Sequence, residues 1–147
     1  MDYVPIMVTC RKCCIVYKVT CRICGEIYIG NTQQTLKDRM KGHYNDVQQL
    51  VQNGKFSDSF ACHFAQHFSV KPSPQQQRDI MKFEIISSVN PISAMKTFGK
   101  HECTLCMKER LNILKFVRKR SSSVINACSE IYGVCRHKTR FHRFARH

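Results

Sequence analysis

The sequence lacks a long hydrophobic run and has few acidic residues. Its longest uninterrupted apolar stretch is residues 13–17, far shorter than the roughly 20 residues needed to cross a bilayer or the core of a signal peptide. We therefore expect neither a membrane segment nor secretion. Only ten Asp and Glu stand against 24 Lys and Arg, which leaves a net charge of +14. This excess of positive charge favours a polyanionic partner, most often a nucleic acid.

The length of 147 residues suits one core of ordinary size, so we expect a single domain over residues 1–147. Positive charge is concentrated late in the chain, because residues 110–147 contain ten Lys and Arg but one acid, Glu130. This region, and above all the basic tail from about 128 to 147, is interpreted as an arm that binds phosphate backbone.

Three segments have the character of β-strands. Residues 14–20 and 26–30 are rich in β-branched and aromatic types and flank a short Cys-Arg-Ile-Cys-Gly turn, which predicts a β-hairpin. Alternation over residues 81–89 predicts a third strand, and residues 124–126 predict a short extended piece. The strand content therefore indicates a small sheet.

Apolar residues at helical spacing predict three helices. The first pattern opens at residues 31–32 and ends near Gly54, the second covers 57–68, and the third covers about 102–120. Residues 71–78 contain two prolines and a polar run, which predicts an exposed loop. Helices and a small sheet together indicate an α+β fold.

Cysteine and histidine spacing predicts a structural zinc site. Cys21 and Cys24 form a Cys-x-x-Cys pair in the hairpin turn, and His63 and His67 lie four residues apart in the second predicted helix. Zinc prefers four tetrahedral N and S ligands, and this combination supplies them. The alternative is that two buried thiols and two imidazoles of an amphipathic helix have no metal between them.

The other cysteines leave further assignments open. Ten cysteines without a secretory signal, four of them in two Cys-x-x-Cys pairs, favour a reduced, metal-binding chain over a disulfide framework. Cys103 and Cys106 form the second pair. Their partners in a second site are either Cys135 and His137, or the Cys-x-x-Cys spacing at residues 10 and 13.

Two tyrosine-containing signatures identify a family resemblance. Ile15, Val16 and Tyr17 are followed, after ten intervening residues, by Tyr28, Ile29 and Gly30. This arrangement resembles the GIY-YIG nuclease family, in which the first signature is Gly-Ile-Tyr and the second is Tyr-Ile-Gly. The second signature matches fully, and the first departs at Ile15, where the family has glycine.

Later residues extend the resemblance over nearly the whole chain. Asn31 and Thr32 with Arg39 are similar to the family's third motif, Glu109 to its glutamate motif and Asn126 to its final asparagine motif. The Cys-x-x-Cys insertion, the helical histidines, the pair at 103 and 106, and the Cys-Arg-His at 135–137 look like the endonuclease domain of Penelope-like retroelements. In such elements this domain follows a reverse transcriptase.

The resemblance implies a fold, a reaction and roles for six residues. The fold is a small, mostly antiparallel three-stranded sheet flanked by helices, with a zinc-binding insertion and a site on the sheet face under the tyrosines and the glutamate. Glu109 would hold one Mg²⁺ or Mn²⁺, and an arginine would brace the phosphate. The implied catalytic residues are Tyr17, Tyr28, Arg39, His43, Glu109 and Asn126. Tyr17 would be the general base or position the attacking water, and Tyr28 would assist it. Asn126 would orient the site by a hydrogen bond, and His43 would contact phosphate or serve as the base instead.

Three functions are compatible with these residues. The leading one is a zinc-stabilised, metal-dependent DNA endonuclease that cuts or nicks target DNA for retroelement insertion, working beside a reverse transcriptase in the nucleus. The second is a catalytically inactive, zinc-containing nucleic-acid-binding module whose basic tail docks on phosphate. The third is a repair or homing nuclease of the same superfamily.

Overall fold

The computed structural model describes residues 13–54, 58–90, 97–98, 102–119 and 124–126. The strands are β1 (Ile15–Cys21), β2 (Ile27–Thr32), β3 (Met81–Ser88), β4 (Thr97–Phe98) and β5 (Glu102–Cys103). The helices are α1 (Leu36–Asn53), α2 (Ser59–Ala65), α3 (Pro74–Ile80) and α4 (Thr104–Lys119). The predicted basic tail from 128 to 147 lies outside the described residues.

The main sheet has the order β2-β1-β3, and both pairings are antiparallel. The β1–β2 hairpin sets Tyr17 opposite Gly30. The register of β1 against β3 shifts between Val16 and Tyr17, and such irregularities change the direction of a side chain locally. The prediction of an α+β fold with a small three-stranded antiparallel sheet flanked by helices is confirmed.

Strand alternation divides the core between the two faces of the sheet. One face packs against α1 and α2 and buries β1 residues such as Ile15, Tyr17 and Val19. The other face packs against α4 and includes Val16 and Ile29. Helix α1 begins after Thr35, whose hydroxyl accepts from the Asp38 N–H at 3.2 Å, and it ends at a left-handed Gly54.

Several predicted boundaries differ from the structure, and helix α2 also ends at Ala65 rather than at residue 68. Residues 74–80 form helix α3, not part of an exposed loop, because Ser73 and Gln76 make a capping box and Pro74 occupies the first turn. Strand β2 continues through residue 32, so the next helix starts later than predicted. Helix α2 begins at Ser59 because Asp58 caps it, and residues 102–103 pair as β5 before α4 begins.

Residues 124–126 are extended, as predicted. Val124 bridges to Ile27 in parallel orientation, and the Ile125 N–H donates to the Ile27 carbonyl at 2.7 Å. This segment therefore lies beside β2 at the edge of the sheet. Among the described residues, no helix combines the length and the apolar character needed to span a bilayer.

Candidate functional site

Tyr17, Arg39 and His43 meet through hydrogen bonds at the Tyr17 hydroxyl. Its oxygen lies 2.6 Å from His43 Nε2, and Arg39 Nε donates to it at 3.2 Å. Arg39 and His43 are four residues apart on α1 and so project from the same side of that helix. The phenol oxygen can exchange a proton with the imidazole while a guanidinium supplies positive charge beside it.

Tyr17, His43 and Arg39 differ in their exposure to solvent. The Tyr17 and His43 side chains are fully buried, and Arg39 is half-buried. His43 lies between aromatic rings, with its ring centroid 3.9 Å from that of Phe60. The pairing of the phenol with the imidazole is therefore held in a dry, aromatic environment, in which hydrogen bonds are stronger than in water.

Gly30 is required by the close approach of the two tyrosines. A Cβ at this position would lie 2.5 Å from Tyr17 Oη and 2.9 Å from Tyr28 Cε1. Both distances are shorter than van der Waals contact allows, so any side chain would displace a ring. The glycine of the second signature thus has a local steric reason.

Tyr28 occupies the same face of the sheet as Tyr17. Its ring packs edge-on against His43, with centroids 5.8 Å apart, and against Phe60 at 5.2 Å. The structure therefore brings together four of the six predicted catalytic residues: Tyr17, Tyr28, Arg39 and His43.

Glu109 lies on the opposite face of the sheet from Tyr17 and Tyr28. The predicted site instead had all three residues on one face. Its helix, α4, packs on the face that includes Ile29, and alternation places Asn31 on that same face. Asn31 Nδ2 donates to Glu109 Oε2 and lies 3.9 Å from Cys106 Sγ. The two halves of the predicted site are joined through β2, because Tyr28 and Asn31 both belong to that strand.

Asn126 binds the backbone of β2. Its Oδ1 accepts from the Ile29 N–H at 2.9 Å, and its Nδ2 donates to the Ile29 carbonyl at 2.8 Å. The side chain thereby reproduces both hydrogen bonds of a neighbouring strand. The geometry gives Asn126 a role in fixing the position of β2 between Tyr28 and Asn31.

Two carboxylates lie next to His43. Ligand-type atoms of His43, Asp46 and Asp58 are all within 4.8 Å of one another. Burial, followed by repulsion from Asp58, raises the pKa of Asp46, and the positive charge of Arg39 opposes this rise. Like charges held this close weaken the fold while both are ionised.

Cys21, Cys24, His63 and His67 are placed close enough to bind a metal. All four ligand atoms lie within 4.8 Å of one another. Cys21 Sγ is 3.5 Å from His67 Nε2, and Cys24 Sγ is 3.4 Å from His63 Nε2. Tetrahedral zinc with Zn–S of about 2.3 Å and Zn–N of about 2.05 Å separates S and N by roughly 3.5 Å. The predicted ligand set is therefore consistent with zinc.

The elements around these ligands hold them in place. The turn after β1 is closed by the Gly25 N–H, which donates to the Cys21 carbonyl at 2.7 Å, and Gly25 has a left-handed φ of 78°. His63 Nδ1 lies 3.1 Å from a Glu26 oxygen, the kind of outer partner that orients a ligating imidazole. Burial lowers the pKa of His63 and raises that of the Cys24 thiol.

A second group of thiols lies on the α4 side of the sheet. Cys14, Cys103 and Cys106 are buried, and the Cys106 N–H donates to Cys103 Sγ at 3.4 Å. Burial, followed by the neighbouring Cys13, raises the pKa of Cys14. None of the seven cysteines among the described residues is in a disulfide. The predicted partners Cys10, Cys135 and His137 lie outside the described residues.

Sequence reasoning missed two partners of the predicted residues. The motif that contains Asn31 does not indicate its contact with Glu109, although the position of Asn31, two residues after Ile29 in an alternating strand, indicates the α4 face. Glu26 follows the Cys-x-x-Cys turn, and a carboxylate beside predicted zinc ligands is the signal that indicates an outer partner. Comparisons with models of known protein families, with curated proteins and with solved structures find no match.

Proposed function

We propose that this protein is a metal-dependent DNA endonuclease of the GIY-YIG type with a structural zinc, similar to the endonuclease domain of Penelope-like retroelements. The observation that supports this proposal is the meeting of Tyr17, His43 and Arg39 at one hydroxyl, 2.6 and 3.2 Å from its partners. Phosphodiester hydrolysis needs a proton acceptor and a cation at the developing charge.

In the proposed reaction, the Tyr17 oxygen accepts a proton from the attacking water and passes its own proton to His43 Nε2. The water oxygen bonds to phosphorus, and the bond from phosphorus to the leaving sugar oxygen breaks. The guanidinium of Arg39 stabilises the negative charge that develops on the phosphate oxygens. Tyr28 holds the imidazole of His43 through its edge-on ring.

Glu109 is the residue proposed to hold Mg²⁺ or Mn²⁺. A carboxylate is the hard oxygen ligand that these ions prefer, and Asn31 fixes one oxygen of Glu109 by a hydrogen bond. When bound, the ion would supply Lewis acidity and positive charge to the reaction. Asn126 keeps β2 in position between Asn31 and the tyrosines through its two bonds to Ile29.

Zinc is proposed to act on structure alone. All four of its positions would be taken by Cys21, Cys24, His63 and His67, which leaves none for water or substrate. The metal would tie the end of β1 to α2, whose Phe60 packs against His43. The proposed partners are DNA and a reverse transcriptase domain, and the proposed location is the nucleus.

The test is nicking of supercoiled plasmid by the zinc-loaded protein in Mg²⁺ or Mn²⁺. We expect nicking that stops without the divalent ion and falls at least about 100-fold in Glu109→Gln and in Tyr17→Phe. Asp79→Asn removes an exposed carboxylate from α3 and serves as the matched control. Equal activity of Glu109→Gln and the wild type would contradict the proposed role of Glu109.

A zinc-containing nucleic-acid-binding module without catalysis is the second candidate. The full burial of Tyr17 and His43 favours it, because a catalytic base must reach its substrate. Plasmid binding without nicking in either divalent ion, by protein with bound zinc, would establish this module. A repair or homing nuclease would instead cleave only lesion-containing duplexes or long specific sites.

A further inference from the structure

The outward side of α4 is strongly basic. Lys115, Arg118 and Lys119 are exposed, and Lys108 is half-buried one turn before the exposed Leu111. The opposite side of the helix is buried against the sheet and includes Glu109. We call the four cations Lys108, Lys115, Arg118 and Lys119 the α4 basic face.

No described acid neutralises the α4 basic face. Within the part of the chain that the structure describes, its four cations form no ion pair. The sole acid of α4 is Glu109, which is buried and bonded to Asn31. Lys108 donates to the Ser88 carbonyl at 3.3 Å, and an ammonium has three donors, so it can also contact a phosphate.

Helix stabilisation explains only part of this charge. Cations in the last turn interact favourably with the helix dipole, and this accounts for Arg118 and Lys119. Lys108 and Lys115 both lie before the last turn of α4, where the dipole has little effect. Their alignment with the last-turn cations on one side indicates a surface that meets an extended polyanion.

We propose that the α4 basic face docks on the phosphate backbone of duplex DNA, an inference that rests on the proposed nuclease function. Lys119 lies eleven positions after Lys108, which corresponds to about 16 Å along the helix. This length matches about five base pairs at 3.4 Å each. The same helix then supplies both the docking surface and, on its inner side, Glu109.

Other polyanions fit this face less well. A membrane-bound helix needs a broad exposed apolar face, whereas the apolar residues of α4 are mainly turned into the core and Leu111 alone is a large exposed one. A-form RNA has a deep, narrow major groove that a helix cannot enter. The wide major groove of B-form DNA admits an α-helix.

The test compares binding of a labelled 20-base-pair DNA duplex, without divalent ions, by wild type and a triple Gln variant. The variant replaces Lys115, Arg118 and Lys119. We expect the plot of log K against log salt to lose about 0.9 in slope per phosphate contact, about 2.7 in total. At about 100 mM salt the affinity should fall at least tenfold.

The matched control replaces Lys71, Arg78 and Lys82, three exposed cations near α3 and β3, by Gln. Each variant lowers the net charge of +14 by three. An equal loss of affinity and slope in both variants would overturn the proposal, because total charge would then explain binding. A selective loss of RNA-duplex binding, or of binding to anionic vesicles, in the α4 variant would overturn it as well.

The binding and nicking assays distinguish failure of the docking proposal from failure of the nuclease proposal. If the wild type binds the duplex and never nicks plasmid, while the α4 variant binds weakly, docking stands and the nuclease proposal fails. If the α4 variant binds and nicks like the wild type, the nuclease proposal stands and docking on α4 fails. Circular dichroism of both variants checks that α4 is intact.

Discussion

Gly30 and Gly42 should respond in opposite ways to replacement by alanine, because only Gly30 is in close contact with a side chain. Gly30→Ala should destabilise the fold by about 1–3 kcal/mol, because the added Cβ overlaps the Tyr17 ring. Gly42→Ala should stabilise it by up to about 1 kcal/mol, because Gly42 lies inside α1 and an added Cβ meets Arg39 only at 3.8 Å. Urea denaturation of both variants measures the two values. Destabilisation by Gly42→Ala and none by Gly30→Ala would contradict this packing.

Asp46 is expected to weaken the fold at neutral pH. Because its folded pKa is raised above 3.8, the unfolded state releases its proton first, and stability falls as pH rises from 3.8 through the folded pKa. Asp46→Asn removes this penalty, so its Tm should exceed that of the wild type at pH 7. The difference should shrink as the pH approaches 3.8.

Thermal denaturation between pH 4 and 8 measures this difference, with Asp79→Asn as the control at an exposed site. Arg39 and Asp58 are the charged groups that act on Asp46. A variant that is less stable than the wild type at pH 7 would show that attraction to Arg39 outweighs repulsion by Asp58.

Some contacts of the candidate site could be predicted from the sequence, and others could not. Arg39 and His43 could be placed together because helical spacing is regular, and the hairpin register brings Tyr17 opposite Gly30. The pairing of Asn31 with Glu109 spans 78 positions and depends on which face of the sheet α4 covers. Local patterns do not contain that information, so the predicted single-face site was wrong.

Among the elements, α3 depends on its first turn. The Ser73 hydroxyl accepts from the Gln76 N–H at 3.2 Å, and the Gln76 side chain accepts from the Ser73 N–H at 2.8 Å. Ser73→Ala should therefore cost about 1 kcal/mol of unfolding free energy, measured in urea. Ser69→Ala, at an exposed position outside the helices, is the control. Equal values for the two variants would argue against the cap.

The segment of α3 was predicted as a loop because its prolines and its polar run are typical of loops. The capping-box spacing that marks a helix start was not used. Pro72 and Pro74 both precede or open the helix, where proline is tolerated. The Ser73-to-Gln76 spacing was the available sign of a helix start. The longer α1 was predicted correctly in its core and C-terminal end, because apolar periodicity and Gly54 agree over five turns.

For the whole molecule, zinc should set the thermal stability. Zinc at about 1,000 times its dissociation constant contributes about 4 kcal/mol, and each kcal/mol shifts Tm by about 2–4 °C in a chain of this size. Cys24→Ser or a strong chelator should thus lower Tm by about 10 °C. Elemental analysis should find the Cys24→Ser protein depleted of zinc.

Cys62→Ser is the matched control for the zinc prediction. Cys62 is an exposed cysteine on α2, the helix that also contains His63, and it lies outside the four-residue group. We expect this variant to keep its zinc and its Tm. Loss of zinc from Cys62→Ser but not from Cys24→Ser would require a different ligand set.

The bond between Asn126 and Ile29 has a consequence for how the protein avoids self-association. Strand β2 is the outer strand of the main sheet, and an uncovered outer strand pairs readily with another chain. Residues 124–126 cover β2 through bonds at Ile27 and Ile29. Asn126, 97 positions after Ile29, thus blocks edge-to-edge pairing of β2 with another chain. This effect does not depend on catalysis.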